Sequence, residues 1–118
     1  MRKQKCEVSS LVLDKKLTYC FDLDGTLCSQ TTSGKYTDAM PYRQAIEAVN
    51  KLYDAGHTII VDTARGSTSK IDWTEITRNQ LKEWGLKYHT LRVGQKLHAD
   101  IFVDDKAVNA YAWRLTNE

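Results

Sequence analysis

The segment 57–62, with the sequence HTIIVD, constrains the fold more than any other part of the chain. A short continuous run of β-branched residues is typical of a strand buried on both faces, and such strands belong to parallel sheets covered by helices. Apolar residues at helical spacing precede the run, from Pro41 to Ala55, and follow it, from Trp73 to Trp84. The pattern therefore predicts an α/β fold built around a parallel sheet.

Three further strands and one helix complete the predicted architecture. The strands are expected at about Leu17 to Asp22, Tyr88 to Val93 and Ala99 to Val103. A final helix is marked by Ala107, Ala110, Tyr111 and Leu115. This order predicts a three-layer, Rossmann-like fold with a mainly parallel sheet, and the length of 118 residues predicts one domain, 1–118.

Composition and charge are those of an ordinary globular protein, with 42% hydrophobic residues, 27% charged residues and a net charge of +2. So mild a basic excess does not indicate a nucleic-acid partner, and no run reaches membrane-spanning length. We therefore expect a cytoplasmic protein with no membrane partner, and its oligomeric state stays open. Residues 1–14 contain a short apolar patch, Leu11 to Leu13, for which an edge strand and a docking segment both stay open.

Polar residues follow three of the predicted strands at their carboxyl ends. Asp22 and Asp24 follow the first strand, Thr63 follows the second, and Asp104 and Asp105 follow the last. Because ligands of open α/β sheets bind outside the carboxyl ends of the strands, one crevice is expected to collect these side chains. Two structural alternatives stay open, since an Asp-Gly dipeptide also fits a hairpin turn and an aspartate before a helix also fits an N-cap.

The chemistry expected of such a crevice is phosphoryl transfer. Several carboxylates at one point repel each other unless a cation lies among them, and oxygen ligands suit Mg²⁺. A divalent ion, a lysine and a hydroxyl group together form a receptor for a phosphate group. A carboxylate held beside the ion could attack phosphorus and form an aspartyl-phosphate, which water then breaks down.

The site motifs resemble those of a known superfamily. The sequence Asp22-Leu23-Asp24-Gly25-Thr26, followed by Thr63, Lys96 and Asp104-Asp105, is similar to the four motifs of the haloacid dehalogenase superfamily of phosphohydrolases. The resemblance extends from about Leu17 to Leu115 and implies the fold of that superfamily. It also implies that Asp22 is the nucleophile and a metal ligand, and that Asp24 is the general acid and base, with its backbone carbonyl also a metal ligand.

The same resemblance implies roles for the remaining site residues. Thr63 is expected to bind the phosphoryl oxygens, and Lys96 to neutralise the nucleophile and the phosphate. Asp104 and Asp105 are expected to bind Mg²⁺, and which of them is the direct ligand stays open. Arg65 is not part of the resemblance; from its position beside Thr63 it is expected either to bind a phosphate or sugar oxygen of the substrate or to line the rim of the site.

No insertion of the size of a cap domain follows either of the first two strands, where the connecting segments are 28–40 and 66–72. The chain therefore resembles the cap-free members, and the segment 96–107 is most similar to small phosphatases of bacterial capsule and surface-polysaccharide biosynthesis. This implies a small phosphorylated substrate, a sugar phosphate or a related metabolite. Two alternatives stay open, a polynucleotide 3′-phosphatase and a receiver-like signalling module that accepts phosphate on an aspartate.

Overall fold

A three-stranded parallel sheet forms the centre of the protein. The computed structural model describes residues 15–32 and 34–117. Strands β1 (Thr18–Phe21), β2 (Thr58–Thr63) and β3 (Thr90–Val93) lie in the order β1-β2-β3. The register places Phe21 beside Val61, and Val61 beside Leu91. All three strands therefore end at the same edge of the sheet.

Three α-helices and one short 3₁₀-helix connect or follow the strands. The helices are α1 (Arg43–Asp54), α2 (Thr74–Trp84) and α3 (Ala110–Thr116), and the 3₁₀-helix is Tyr36–Asp38. Helix α1 begins two residues after Pro41, the residue at which the apolar helical pattern of the sequence starts. Helix α2 ends at Gly85, whose φ of +73° is the left-handed conformation that terminates helices.

The hydrophobic core lies between one face of the sheet and helices α1 and α2. Ile59 and Val61 on β2 are fully buried there, together with Ile46 and Val49 of α1 and Leu81 of α2. The opposite face of β2 is less covered, since its side chains are exposed or half-buried. The prediction that β2 is buried on both faces is therefore wrong. Among the residues that the structure describes, the side chains on only one face of β2 are buried.

The fold class predicted from the sequence is confirmed. The protein has an α/β, Rossmann-like architecture with a parallel sheet, and no cap domain interrupts the described residues. In the described residues, the 3₁₀-helix is the only helix between β1 and α1, and the segment between β2 and α2 contains neither helix nor strand. None of the helices in these residues has the length and apolar character that crossing a bilayer requires.

The predicted fourth strand is not formed. Residues 99–103 have no regular secondary structure, and Ile101 and Val103 are 79% and 95% exposed. An apolar run of this kind forms a strand only where a neighbouring strand accepts its backbone hydrogen bonds, and none of the described strands does so. Helix α3 accordingly begins at Ala110, later than expected. The proposed roles of residues 1–14 lie outside the described residues.

Candidate active site

The loop that follows β1 holds the first two site residues. Asp22 and Asp24 flank Leu23, which is completely buried and whose carbonyl accepts the backbone N–H groups of Thr26 and Leu27 at 3.0 and 2.8 Å. Gly25 has a φ of +89°, a backbone conformation that residues other than glycine adopt only with strain. The buried leucine and the glycine therefore fix a tight turn that presents both carboxylates at the end of the strand.

Asp22 is oriented by a lysine and a hydroxyl group. Lys96 Nζ donates to Asp22 Oδ1 at 3.2 Å, and Thr26 Oγ1 donates to Asp22 Oδ2 at 3.3 Å. Lys96 follows β3, so the parallel sheet brings it to the edge at which β1 ends. The Asp22 side chain remains 39% exposed, which leaves it open to a reacting group. This arrangement is the one expected of a charge-neutralised nucleophile.

Asp24 forms a bidentate ion pair with Arg65. Arg65 Nη2 donates to Asp24 Oδ1 at 2.7 Å, and Arg65 Nε donates to Asp24 Oδ2 at 2.8 Å. The arginine side chain is fully buried, whereas the Asp24 side chain is 14% exposed. The carboxylate of Asp24 is thus held in one orientation while one edge of it faces the solvent.

The structure does not support substrate binding by Arg65. Its remaining guanidinium nitrogen, Nη1, donates to Gln80 Oε1 at 2.6 Å and to Thr77 Oγ1 at 3.1 Å. Nη2 also lies 4.0 Å from the sulfur of Cys28. A guanidinium group has five N–H bonds, and these contacts use all five. The expectation that Arg65 binds the substrate therefore requires correction, because its side chain has no donor left for a phosphate.

Thr63 lies at the end of β2 and faces the same site. Its hydroxyl oxygen accepts the backbone N–H of Arg65 at 3.3 Å, and its side chain is almost completely buried. Within residues 15–32 and 34–117 the Thr63 hydroxyl donates no hydrogen bond, so its proton is available to an incoming oxygen. A hydroxyl at this position can donate to a phosphoryl oxygen.

One cleft of about 690 Å³ collects five of the predicted site residues, and they come from three separate parts of the chain. These residues are Asp22, Asp24, Thr63, Arg65 and Lys96. Side chains with hydroxyl or amide groups also line the cleft, as do two aromatic rings, those of Tyr36 and Trp73. The two rings pack edge to face with their centroids 4.9 Å apart. The lining of the cleft therefore combines charged groups with neutral hydrogen-bonding groups.

Asp104 and Asp105 are placed differently from the other predicted residues. Asp104 lines a second cleft, of about 890 Å³, which it shares with Asp22 and Lys96, whereas Asp105 lines neither cleft. Asp104 Oδ1 accepts the backbone N–H of Lys106 at 2.8 Å, and this bond lowers the pKa of the Asp104 carboxyl below its usual value. Neither aspartate is the N-cap of α3, because that residue is Asn109.

Magnesium binding stays a prediction from the sequence. Asp22 and Asp104 line one cleft, whereas Asp105 does not line it. Across the described ranges, no group of three or more His, Cys, Asp or Glu side chains is close enough to hold a metal ion, so an ion bound by these two carboxylates would also need backbone carbonyl or water ligands. Asp22 and Asp104 are the residues that would hold Mg²⁺, which would supply positive charge beside the phosphate, and no step is derived through the ion.

Several residues of the site could not be predicted from the sequence. Thr26 supports Asp22, while Thr77 and Gln80 support Arg65 from α2. Arg114 of α3 donates to the backbone carbonyl of Gly25 and stacks on a tyrosine ring. Of these, only Thr26 carried a local signal, because it belongs to the acidic motif itself; the others are long-range partners that spacing along the chain does not reveal.

The comparisons with known proteins establish the fold and leave the activity open. No family model matches the chain, and no curated protein matches it. A crystal structure of a target protein from Vibrio cholerae is similar, with a TM-score of 0.71 and 25% sequence identity. The similarity covers 82% of this chain and 86% of that chain, and the name of that protein states no function.

Proposed function

We propose that this protein is a phosphomonoester hydrolase of the haloacid dehalogenase type that forms an aspartyl-phosphate on Asp22. The observation that carries the proposal is the meeting of Asp22 with Lys96 and Thr63 in one cleft, although they lie at or after the ends of three different strands. A nucleophile, a cation and a hydroxyl donor are the groups that phosphoryl transfer requires, because its catalysis is mainly positioning and charge stabilisation.

The first step transfers the phosphoryl group to the enzyme. A carboxylate oxygen of Asp22 attacks phosphorus, and the bond between phosphorus and the leaving oxygen breaks. Asp24, in its protonated form, gives its proton to that oxygen, so the leaving group departs as a neutral alcohol. Lys96 and Thr63 stabilise the charge on the phosphoryl oxygens during the transfer.

The second step releases phosphate. Water attacks the phosphorus of the aspartyl-phosphate and gives a proton to the Asp24 carboxylate, and the bond between phosphorus and the Asp22 oxygen breaks. Inorganic phosphate leaves, Asp22 is again a carboxylate, and Asp24 is again protonated. The position of Asp24 two residues after Asp22 therefore favours turnover over storage of the phosphate.

The neutral part of the cleft lining supports a sugar phosphate or a related small metabolite as substrate. Gln30, Thr68 and Ser69 supply neutral hydrogen-bonding groups there, and Trp73 supplies an apolar surface. Such a lining suits a leaving group with many hydroxyls. Magnesium dependence, the relation to polysaccharide biosynthesis and a cytoplasmic location stay predictions from the sequence.

The proposal is tested by a screen of phosphorylated metabolites, with and without Mg²⁺, that measures released inorganic phosphate. We expect turnover of at least one sugar phosphate, and no turnover by Asp22→Asn, which should fold normally because Asp22 is partly exposed. Asp24→Asn should lower both the rate of the initial burst of leaving-group release and the rate of steady-state turnover. Near-normal hydrolysis by Asp22→Asn would refute the nucleophile assignment.

The same samples separate the two alternatives. A stable phosphoaspartate formed from acetyl phosphate, without multiple turnover of a chromogenic ester, would support the receiver-like module. Hydrolysis restricted to 3′-phosphorylated oligonucleotides, with binding that weakens steeply as salt is raised, would support the polynucleotide phosphatase.

A further inference from the structure

The side chain of Arg65 is the most completely enclosed charged group in the described part of the protein. It is fully buried, and it belongs to the segment that follows β2. Burial of a guanidinium group is costly unless every N–H finds a partner and the charge is paired. Both conditions are met here, so the fold compensates the cost of burying the Arg65 side chain.

The partners of Arg65 divide into a front and a rear set. At the front, two parallel hydrogen bonds reach the two oxygens of Asp24, at 2.7 and 2.8 Å. At the rear, Gln80 and Thr77 of α2 accept from Nη1. Hydrogen bonds to both sets of partners prevent the planar guanidinium group from rotating. The guanidinium group therefore fixes the plane of the Asp24 carboxylate that it binds.

The 3₁₀-helix contributes to the rear set through Tyr36. The guanidinium carbon of Arg65 lies 4.6 Å from the centre of the Tyr36 ring, within the range of a cation–π contact. Gln80 Nε2 donates to the backbone carbonyl of Tyr36 at 2.7 Å, so the same glutamine binds both Arg65 and the loop. The loop after β1 and helix α2 therefore hold Arg65 against Asp24 together.

We propose that Arg65 is a positioning residue, which fixes the orientation of the Asp24 carboxylate for proton transfer and does not bind the substrate. The inference rests on the proposed function, in which Asp24 moves the proton in both steps. Asp24 transfers a proton to the leaving oxygen in the first step and accepts one from water in the second, so both steps need its carboxylate in one orientation. Loss of the fork should therefore slow both formation and breakdown of the phosphoenzyme.

The kinetic test uses Arg65→Lys, which keeps the charge and removes the second parallel hydrogen bond. We expect kcat to fall about 100-fold, KM to change less than about twofold and the inhibition constant of inorganic phosphate to stay unchanged. Arg78→Lys is the matched control, because Arg78 forms an exposed ion pair with Glu75 on α2. A rise in KM and in the phosphate inhibition constant with unchanged kcat, or no change in any of them, would overturn the proposal.

A second measurement does not depend on activity. A double-mutant cycle compares the Tm of the wild-type protein with those of Asp24→Asn, Arg65→Lys and the double variant. If the two residues are coupled, the shift in Tm of the double variant differs from the sum of the two single shifts. We expect the double variant to lose clearly less than the sum of the two single losses, whereas additive losses would contradict a fixed pair. An inactive wild-type protein would refute the proposed function and leave only the coupling of Asp24 and Arg65 for the cycle to decide, whereas an active protein with additive losses would refute the positioning alone. If Arg65→Lys does not fold, Gln80→Met replaces it in both measurements.

Discussion

Lys96 Nζ lies 3.2 Å from Asp22 Oδ1, although 74 residues separate the two in the chain. Their side chains are 27% and 39% exposed. An ion pair this exposed contributes about 0–1 kcal/mol to stability, so its contribution to the fold is small. The pair is better explained by function, because an exposed carboxylate beside an ammonium group can receive a phosphoryl group without repelling it.

Replacing Lys96 should therefore affect activity far more than stability. We expect Lys96→Met to lower kcat/KM by about 10²–10³, as loss of one charge-stabilising donor does. Its free energy of unfolding in urea should fall by less than about 1 kcal/mol. Lys87→Met is the control, since Lys87 forms an exposed ion pair with Asp54, and its activity should be normal. Equal kinetics for the two variants would contradict the role of Lys96.

Two glycines with similar backbone conformations allow a matched test of the loop behind Arg65. Gly66 and Gly85 have φ values of +82° and +73°, and a Cβ at Gly85 would meet nothing within 4 Å. A Cβ at Gly66 would overlap the backbone carbonyl oxygen of Ile71. We expect Gly85→Ala to cost about 1–2 kcal/mol for the backbone alone, and Gly66→Ala to cost ~3 kcal/mol or more. Urea unfolding measures both, and similar losses would contradict the steric argument.

Cys28 should be chemically inert in the folded protein. Burial, and next the charge of Asp24, raise the pKa of the Cys28 thiol to about 12. The thiolate is the reactive form, so at pH 8 almost none is present, whereas Cys20 is exposed. In a Cys6→Ser background we expect iodoacetamide at pH 8 to modify Cys20 only, and both thiols after denaturation. Mass spectrometry identifies the modified residue, and labelling of Cys28 in the native state would show that its surroundings open.

The sequence predicts the three strands of the sheet correctly, because strand-forming residues are concentrated in each of these segments. The run Thr58–Thr63 is β-branched and ends in a hydroxyl, and the structure places it in the middle of the sheet with Thr63 facing the site. The acidic turn after β1 was equally predictable, since two aspartates and a glycine form a compact local signal. Lys96 was predicted through its place in the motif order, and the structure brings it to Asp22.

Two features could not be read from local composition. The run 99–103 has the residues of a strand, but a strand also needs a partner edge, and no part of the described chain pairs with it. The role of Arg65 depends on Thr77 and Gln80, which on α2 resemble any polar positions beside an apolar stripe. Thr77 and Gln80 lie 12 and 15 residues after Arg65 in the chain, so their contacts with it are visible only in the tertiary structure.

Binding of Mg²⁺ should change the segment that contains Asp104. Asp104 and Asp22 line one cleft, and residues 97–109 contain no helix or strand, so an ion bound by both carboxylates should restrain this segment. We expect Mg²⁺ to slow amide hydrogen exchange there. The Asp104 carboxyl is available as a ligand, because an ordinary aspartate is already ionised at neutral pH and the hydrogen bond from Lys106 lowers the pKa of Asp104 further.

The chain offers a close control for this experiment. Asp72 is also exposed, and its carboxylate accepts a hydrogen bond from the backbone N–H of Thr74, two residues later in the chain. Hydrogen bonding from Thr74 lowers the pKa of the Asp72 carboxyl, as the bond from Lys106 does for Asp104. Asp104→Asn should weaken Mg²⁺ affinity by at least about tenfold, a loss of roughly 1.4 kcal/mol. Asp72→Asn should leave Mg²⁺ affinity unchanged. Isothermal titration calorimetry measures the affinities, and equal binding by both variants would show that Asp104 is not a ligand.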